Sequence, residues 1–395
     1  MLSTAEISAA LNRLAPKDEE YATRFVETVL GAAAERPVSD VHLTPTAGGL
    51  ELRWRSDGVL ETIGLFSPGE AADVVTRLKV LADLLTYRQE TPQEGRLRRP
   101  QAALEMRVST FPTLHGERAV VRIFRQTSEL ERLADLSLPD DLERTLRSKL
   151  DQTQGAIIVT GPAGSGKTTT VYACLREILA AAIPRGIITL EDPIELELPG
   201  AAQSAMQPAA GFDFASALRS VMRQDPEVIL VGEVRDRETA LAAFQASLTG
   251  HLVFTTFHAA SAASAVSRLN DMGIEPYLLR SGLQAMIGQR LVRRLCGCAV
   301  ASPSGDGSRI PAGCTKCGNS GYCGRMALAE LLPPLVNELG TLVLAKADAP
   351  RLEAAARSAG MVPLRKRAEN AVAAGDTSLA EVCRVLGLAD EAAGA

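Results

Sequence analysis

The sequence predicts an α/β protein: a mostly parallel sheet with helices on both faces, preceded by a smaller α+β domain. Three observations carry that expectation. Apolar runs at 156–159, 186–190, 228–231 and 252–255 alternate with helical patterns near 167–182, 214–224, 236–248 and 261–271, and repeated strand–helix units imply parallel pairing. A glycine-rich link, GPAGSGKT at 161–168, joins the first of these strands to the first helix. Upstream the pattern is extended instead, in VSDVHLTP, GGLELRWRSDGVLETI and LEMRVSTFPTLHGERAVVRIF, with Ser-Asp-Gly and Pro-Thr-Leu-His-Gly as turn signals.

In chain order, residues 1–37 read as a helical segment, with Tyr21, Phe25, Val29 and Leu30 on one face. Residues 38–125 form the small α+β domain, with a helix at about 69–85. Residues 126–150 are polar with helical periodicity and read as the interdomain linker. The strand–helix core covers 151–290, a Cys-rich element 291–330, and a helical C-terminal region 331–395. All of 275–388 is expected to be largely helical, interrupted by a Cys- and Gly-rich loop. Within it, 301–313 is rich in Ser, Gly and Pro and reads as a mobile loop.

At 395 residues the chain holds two or three domains. It is 46% hydrophobic and 23% charged, a globular balance. A net charge of −5 provides no global field for nucleic acid or anionic lipid, and 4% aromatic residues argue against a base-stacking surface. No apolar run reaches the roughly 18 residues of a membrane span. The N-terminus lacks the basic and apolar regions of a secretory signal. Of seven cysteines, four lie between 296 and 317, which fits a metal site better than a disulfide scaffold. Cys174 and Cys383 read as core residues.

The link at 161–168 is G-x-x-x-x-G-K-T in the strand–loop–helix setting that the motif requires. Glycines let successive N–H groups turn inward on phosphate oxygens. The candidate phosphate-binding residues are Gly161, Pro162, Ala163, Gly164, Ser165, Gly166, Lys167, Thr168 and Thr169. Lys167 can reach the β- and γ-phosphates, and the Thr168 hydroxyl can ligate Mg²⁺. The following helix adds its positive dipole end.

The later strands end in polar residues: Glu191-Asp192-Pro193-Ile194-Glu195, Gly232-Glu233-Val234-Arg235-Asp236, and Thr256-Phe257-His258. Ligands of open α/β sheets sit beyond the carboxyl ends of strands. Phosphoryl transfer to water needs an oriented water, Mg²⁺ and neutralised phosphoryl charge. Glu233 is the candidate for orienting Mg²⁺ or the water, and one of Glu191 and Glu195 for activating the water. The alternative for these acids is helix capping or a surface turn. His251 and His258 flank the fourth strand; each is a candidate sensor of the terminal phosphate or a hydrogen-bonded structural residue. Arg107, Arg118 and Arg122 could project toward a neighbouring nucleotide or form ordinary ion pairs on a solvated strand face. Cys296-Gly297-Cys298 and Cys314-Thr315-Lys316-Cys317 have the logic of a tetrahedral Cys₄ zinc site, with Cys323 near enough to substitute.

Together these stretches resemble the type II secretion and type IV pilus assembly ATPases, the secretion-superfamily traffic motors. The resemblance rests on VSDVHLTP, PQEGRL, MRVSTFPTLHGERAVVRIF, TGPAGSGKTTT, TLEDPIE, RQDPEVILVGEVRD, TGHLVFTTFHAASA, QRLVRRLC, CTKCGNSGYCGRMALAEL and GDTSLAEV, and runs from about residue 38 to 388. It implies a RecA-like P-loop NTPase motor domain preceded by a PAS-like domain, with ATP bound between them in a homo-hexameric ring. Lys167 and Thr168 then become Walker A residues and Glu233 the Walker B glutamate. TLEDPIE becomes the Asp box, with Glu195 the base, and His251 and His258 fall in the His box. Arg107 and Arg122 match arginines brought to the phosphates on closure. Cys296, Cys298, Cys314 and Cys317 match a tetracysteine element holding structural Zn²⁺.

The implied function is ATP hydrolysis that drives pilin or pseudopilin assembly through an inner-membrane platform protein, at the cytoplasmic face of that membrane. A pilus-retraction motor on the same fold is the nearest alternative; retraction relatives generally lack the cysteine element. A nucleic-acid translocase is a further one, opposed by the acidic charge. Two departures stand out. The first cysteine pair is C-x-C where the family usually has C-x-x-C. About 36 residues precede the small domain, where many assembly ATPases carry a partner-binding domain, which is expected here to be absent or reduced.

Overall fold

The computed structural model describes residues 4–69, 73–97, 104–124, 132–183, 185–303, 305 and 307–387. Parts of the expected linker (126–131) and of the C-terminal region (388–395) lie outside the described residues. The chain divides into two units. One comprises Met1–Gln126, Leu295–Val300 and Pro311–Gly324; the other comprises Thr127–Arg294, Ala301–Ile310 and Arg325–Ala395.

In the first unit, helices α1 (Thr4–Asn12) and α2 (Tyr21–Ala34) precede strands β1 (Val38–Thr46), β2 (Gly49–Ser56) and β3 (Val59–Phe66). Then come α3 (Val74–Leu81), β4 (Gln93–Arg96), β5 (Glu105–Thr113) and β6 (Gly116–Phe124). The six strands form one sheet in the order β3-β2-β1-β6-β5-β4, antiparallel throughout. Alternating burial along β2 and β5 shows one packed face, as expected of an antiparallel sheet solvated on its other side. Phe25, Val29 and Leu30 of α2 and Leu78 of α3 share its core with Leu52, Trp54 and Val108. The residues 1–37, expected as a separate segment, are therefore part of this unit.

In the second unit a short 3₁₀ turn (Leu133–Leu136) and α4 (Asp140–Leu150) lead into β7 (Gly155–Thr160), α5 (Lys167–Leu179), β8 (Ile187–Glu191), β9 (Ala202–Ala205), α6 (Phe214–Val221) and β10 (Val228–Val231). The chain continues through α7 (Arg237–Leu248), β11 (Leu252–Phe257), α8 (Ala262–Asp271), α9 (Pro276–Gly282) and β12 (Leu283–Leu295). Two-residue strands β13 (Val300–Ala301) and β14 (Arg309–Ile310) pair with each other, and β15 (Tyr322–Leu331), α10 (Asn337–Leu344), α11 (Ala349–Ser358), α12 (Leu364–Ala373) and α13 (Leu379–Leu386) complete the chain. The seven-stranded sheet has the order β15-β12-β7-β11-β10-β8-β9, and pairs β12–β7, β7–β11, β11–β10, β10–β8 and β8–β9 are parallel. Every residue of β7, β10 and β11 is buried, because helices cover both faces.

Two expectations from sequence need correction here. Residues 275–388 are not largely helical apart from a loop: β12 and β15 extend the parallel sheet at its edge. LQAMIGQRLVRRL carries polar residues that blur its period, and pairing with β7 decides its state. The described part of 126–150 is not a mere connection either. Leu142, Leu146 and Leu150 of α4 recur at helical spacing and pack with Ile157 and Val171 of the second unit.

The C-terminal helices are tied to the sheet by a buried ion cluster. Glu381 of α13 is 1% exposed and accepts from Arg293 N, Nε and Nη2 at 3.0, 3.0 and 2.8 Å, and from Arg384 Nε and Nη2 at 2.8 and 2.6 Å. Burial alone raises its pKa, but the hydrogen bonds from Arg384 and Arg293 outweigh it and hold the carboxyl below its ordinary value. The folded pKa is thus depressed, so this stability is present above the ordinary carboxylate pKa and is lost as pH falls through the folded value. Glu381→Ala removes the buried acceptor shared by the half-buried Arg293 and the exposed Arg384, an expected loss of about 2 kcal/mol at neutral pH. Denaturant titrations of both proteins should show the gap closing on acidification below about pH 4; a gap independent of pH contradicts the assignment.

Candidate active site

Register brings the phosphate loop and the polar strand ends to one edge. Thr160 pairs with Phe257, while Val231 pairs with both Leu190 and Thr255, so the segments after β7, β8, β10 and β11 leave the sheet on the same side. At the loop, Gly164 and Gly166 have φ of +73° and +84°, a region costly to any residue with a Cβ. A Cβ on Gly166 would also lie 2.9 Å from Gln289 Nε2. Gly166 caps α5, so the free N–H groups of its first turn face the loop. Pro162, Ala163 and Gly164 are exposed, Thr168 and Thr169 half-buried, and Gly161 and Ser165 buried.

Lys167 is buried and donates to the Gly161 and Pro162 carbonyls at 3.0 and 2.9 Å. Burial lowers its pKa; Glu233 and Glu195 oppose that shift and Arg290 adds to it. Both candidate acids therefore lie within electrostatic reach of the ammonium. The Glu233 turn is held by Gly232 N donating to Leu190 O at 2.8 Å, Val234 N to Thr256 O at 3.0 Å, and Thr256 Oγ1 to Gly232 O at 2.7 Å. Glu233 accepts from Arg235 Nε at 2.8 Å, and its other oxygen lies 3.0 Å from His258 Nε2. Burial, then the Lys167 charge, lowers the His258 pKa despite Glu233. A neutral ring with its proton on Nε2 donates to Glu233.

His251 is not at this site. It precedes β11 while His258 follows it, and at about 3.3 Å per strand residue the two are separated by ~20 Å. Leu252 pairs with Gly155, at the opposite end of β7 from the loop. The His251 ring lies 3.1 Å from Ala246 O, closing the end of α7. A sensor role for His251 at this chain's own phosphate loop is excluded by the length of the strand.

Glu191 is also placed differently from Glu195. It is 4% exposed and its oxygens accept from Tyr172 Oη, from Thr189 Oγ1 at 2.6 Å and from Gln203 Nε2 at 3.1 Å. A carboxylate so enclosed is poorly placed to take a proton from water.

In the first unit Arg96, Arg107, Arg122 and Asp40 are successive cross-strand neighbours, and Arg55 faces Asp40 from the other side. This makes a cationic row across one sheet face. Arg122 Nε donates to Asp40 Oδ1 at 2.9 Å and Arg107 Nε to Glu105 Oε1 at 3.1 Å. Arg118 Nη2 lies 3.0 Å from His42 Nδ1.

The four candidate metal ligands do converge. The Sγ atoms of Cys296, Cys298, Cys314 and Cys317 lie within 4.8 Å of one another, with separations of 3.9 Å for Cys296–Cys314 and Cys298–Cys317 and 3.7 Å for Cys314–Cys317. Four sulfurs about 2.3 Å from a tetrahedral zinc stand ~3.8 Å apart, so the set fits zinc. C-x-C closes the tetrad without Cys323, which is exposed and outside the cluster. Burial raises the Cys317 thiol, but N–H groups of Cys314 and Gly321, at 3.1 and 3.3 Å from the sulfur, push it down to about 6. Cys174 is buried as expected, while Cys383 is only half-buried.

One residue that braces the phosphate loop was invisible as such in the sequence. Gln289 of β12 is 2% exposed; its Nε2 donates to Ser165 O and its Oε1 accepts from Thr170 Oγ1, both at 2.9 Å. It clamps the loop to the first turn of α5. The only hint was its place in QRLVRRLC.

A phosphate loop with two acids in reach of its lysine, on the carboxyl edge of a parallel sheet, defines the P-loop NTPase class. Family comparison narrows this: residues 15–384 match the model described as "Type II/IV secretion system protein", and the chain belongs to that family. It is 40% identical over 383 residues to the type II secretion system protein HxcR of Pseudomonas aeruginosa, covering 96% of this chain and 80% of that one. It is 36% identical over 384 residues to the type IV pilus assembly ATPase PilB of Thermus thermophilus, covering 92% of this chain and 43% of PilB. In fold it is similar to the Legionella pneumophila ATPase DotB, with a TM-score of 0.67 at 23% identity over 94% of this chain and 96% of that one. The chain is accordingly an ATP-hydrolysing motor of the secretion and pilus-assembly family.

Proposed function

We propose that the chain forms a hexameric ring in which ATP hydrolysis drives the assembly of pilins or pseudopilins. The observation that carries this reading is the phosphate loop at the carboxyl edge of the parallel sheet, where the buried Lys167 donates to the Gly161 and Pro162 carbonyls and Glu233 meets His258. In it, loop amides and Lys167 hold the triphosphate and Thr168 ligates Mg²⁺. Glu233 orients the metal or the attacking water, Glu195 takes the water's proton, and His258, hydrogen-bonded to Glu233, reports the terminal phosphate. Arg107 and Arg122 are the cations proposed to neutralise phosphoryl charge, a need general to this chemistry. The six-stranded unit is read as PAS-like and the seven-stranded one as RecA-like. The cysteine tetrad would hold one structural Zn²⁺, which closes the loop from Cys296 to Cys317.

The names of the similar proteins support a place in type II secretion or type IV pilus assembly. The partner is then an inner-membrane platform protein met at the cytoplasmic face, and among the described residues no helix is long and apolar enough to cross a membrane. Purified protein should release phosphate from Mg·ATP and run as six copies in native mass spectrometry, while Lys167→Ala should lose Mg·ATP binding. No measurable affinity for ATP, or one copy under every nucleotide condition, overturns the proposal.

A further inference from the structure

The segment after β8 is pinned on both sides of Glu195. At its start, Glu191 is fixed by Tyr172, Thr189 and Gln203, and Met206 N donates to Glu191 O at 2.8 Å. Just past Glu195, Leu196 O accepts from Gln203 Nε2 at 3.0 Å and lies 3.2 Å from Tyr172 Oη, whose single proton goes to the nearer Glu191 oxygen. Leu198 N then donates to Gln203 Oε1 at 2.6 Å. Tyr172 is 1% exposed and lies on α5, five residues after Lys167. One hydroxyl therefore touches the loop on both sides of Glu195 from the helix that carries the phosphate-binding lysine. Gln203 does the same from β9, opposite Thr189 in the register.

We infer that Tyr172, Glu191 and Gln203 form a positioning anchor that sets Glu195 against the phosphate loop, with Glu191 as a buried hydrogen-bond acceptor rather than a base. The inference rests on the reading of Glu195 as the base and adds what holds it there. The physical case is one of geometry and burial. The ten residues between β8 and β9 form no helix or strand that would hold a side chain still, and a general base must stay within hydrogen-bond reach of its water. A shift of about 1 Å in such a group can cost on the order of a hundredfold in rate. A buried carboxyl group needs its acceptor sites filled, and Glu191 has three donors on its two oxygens. Burial, then the Glu191 contact, raises the Tyr172 pKa far above its usual range, so the phenol stays a donor at every working pH.

The test compares steady-state turnover, ATP affinity and thermal melting in the full chain. Tyr172→Phe keeps the ring and removes only the hydroxyl. It should lower kcat by about tenfold or more while leaving KM and ATP affinity near wild type. That split distinguishes misplacement of the base from general damage, which lowers the active fraction and disturbs binding together. Glu191→Gln, nearly isosteric, should lower kcat in the same way and less than Glu195→Gln. The Tyr172→Phe/Glu191→Gln double variant should be no worse than the poorer single, because both break one contact. A wild-type kcat for Tyr172→Phe alongside an inactive Glu195→Gln overturns the anchor while sparing the base. Loss of ATP affinity in step with kcat, or additive effects in the double variant, also overturns it. A Glu195→Gln protein that hydrolyses at the wild-type rate removes the base assignment itself.

Discussion

Glu233→Gln should bind Mg·ATP and fail to turn it over, with kcat at least about a hundredfold below wild type. Glu233 follows the wholly buried β10, and its turn is held by hydrogen bonds to Leu190 and Thr256. The amide keeps the shape and still offers a hydrogen bond to His258. It loses the negative charge proposed to orient Mg²⁺ or water, and charge is what the reaction requires. It also removes a negative charge that would repel the terminal phosphate, so ATP binding should be kept or strengthened. Equilibrium binding of a fluorescent ATP analogue beside phosphate release under single-turnover conditions separates the two effects. A variant that hydrolyses at the wild-type rate removes Glu233 from the site; one that no longer binds nucleotide makes it a binding residue instead.

The second large effect concerns the cysteine tetrad. Purified protein should carry one zinc per chain, and prolonged chelation should strip it with a large fall in thermal stability. Structural zinc binds with an apparent free energy on the order of 10 kcal/mol. Even a third of that is about 10 °C in melting temperature for a unit of this size. The metal is asked to hold a segment with little core of its own, Leu295, Ala299 and Tyr322 forming its small apolar cluster. Cys314→Ser should lose the metal and most of the stabilisation, while Cys323→Ser should keep both because that thiol is outside the tetrad. Elemental analysis and melting curves read the result. Zinc-free protein whose melting ignores chelators, or zinc lost equally in both variants, contradicts the assignment.

Much of this was legible before any tertiary structure. The phosphate loop is a local device whose glycines, lysine and flanking strand and helix all lie within one short stretch of sequence. The four core strands are dense apolar runs, and the cysteines announce themselves by spacing. The sequence also pointed to polar strand ends as the chemical edge. It could not rank them, because Glu191 and Glu195 are four residues apart and chemically alike, as are His251 and His258 at the two ends of one strand.

The parallel α/β core, the phosphate loop and the thiols of a candidate metal site can be read along the chain, because each is written in contiguous residues or fixed spacing. That His258 rather than His251 meets Glu233, that Glu191 is enclosed by Tyr172 and Gln203, and that Gln289 clamps the loop from β12 emerges on folding alone. Those facts depend on strand length, register and burial, which join residues up to 124 positions apart. No local pattern of residue types encodes such distances; the folded sheet sets them.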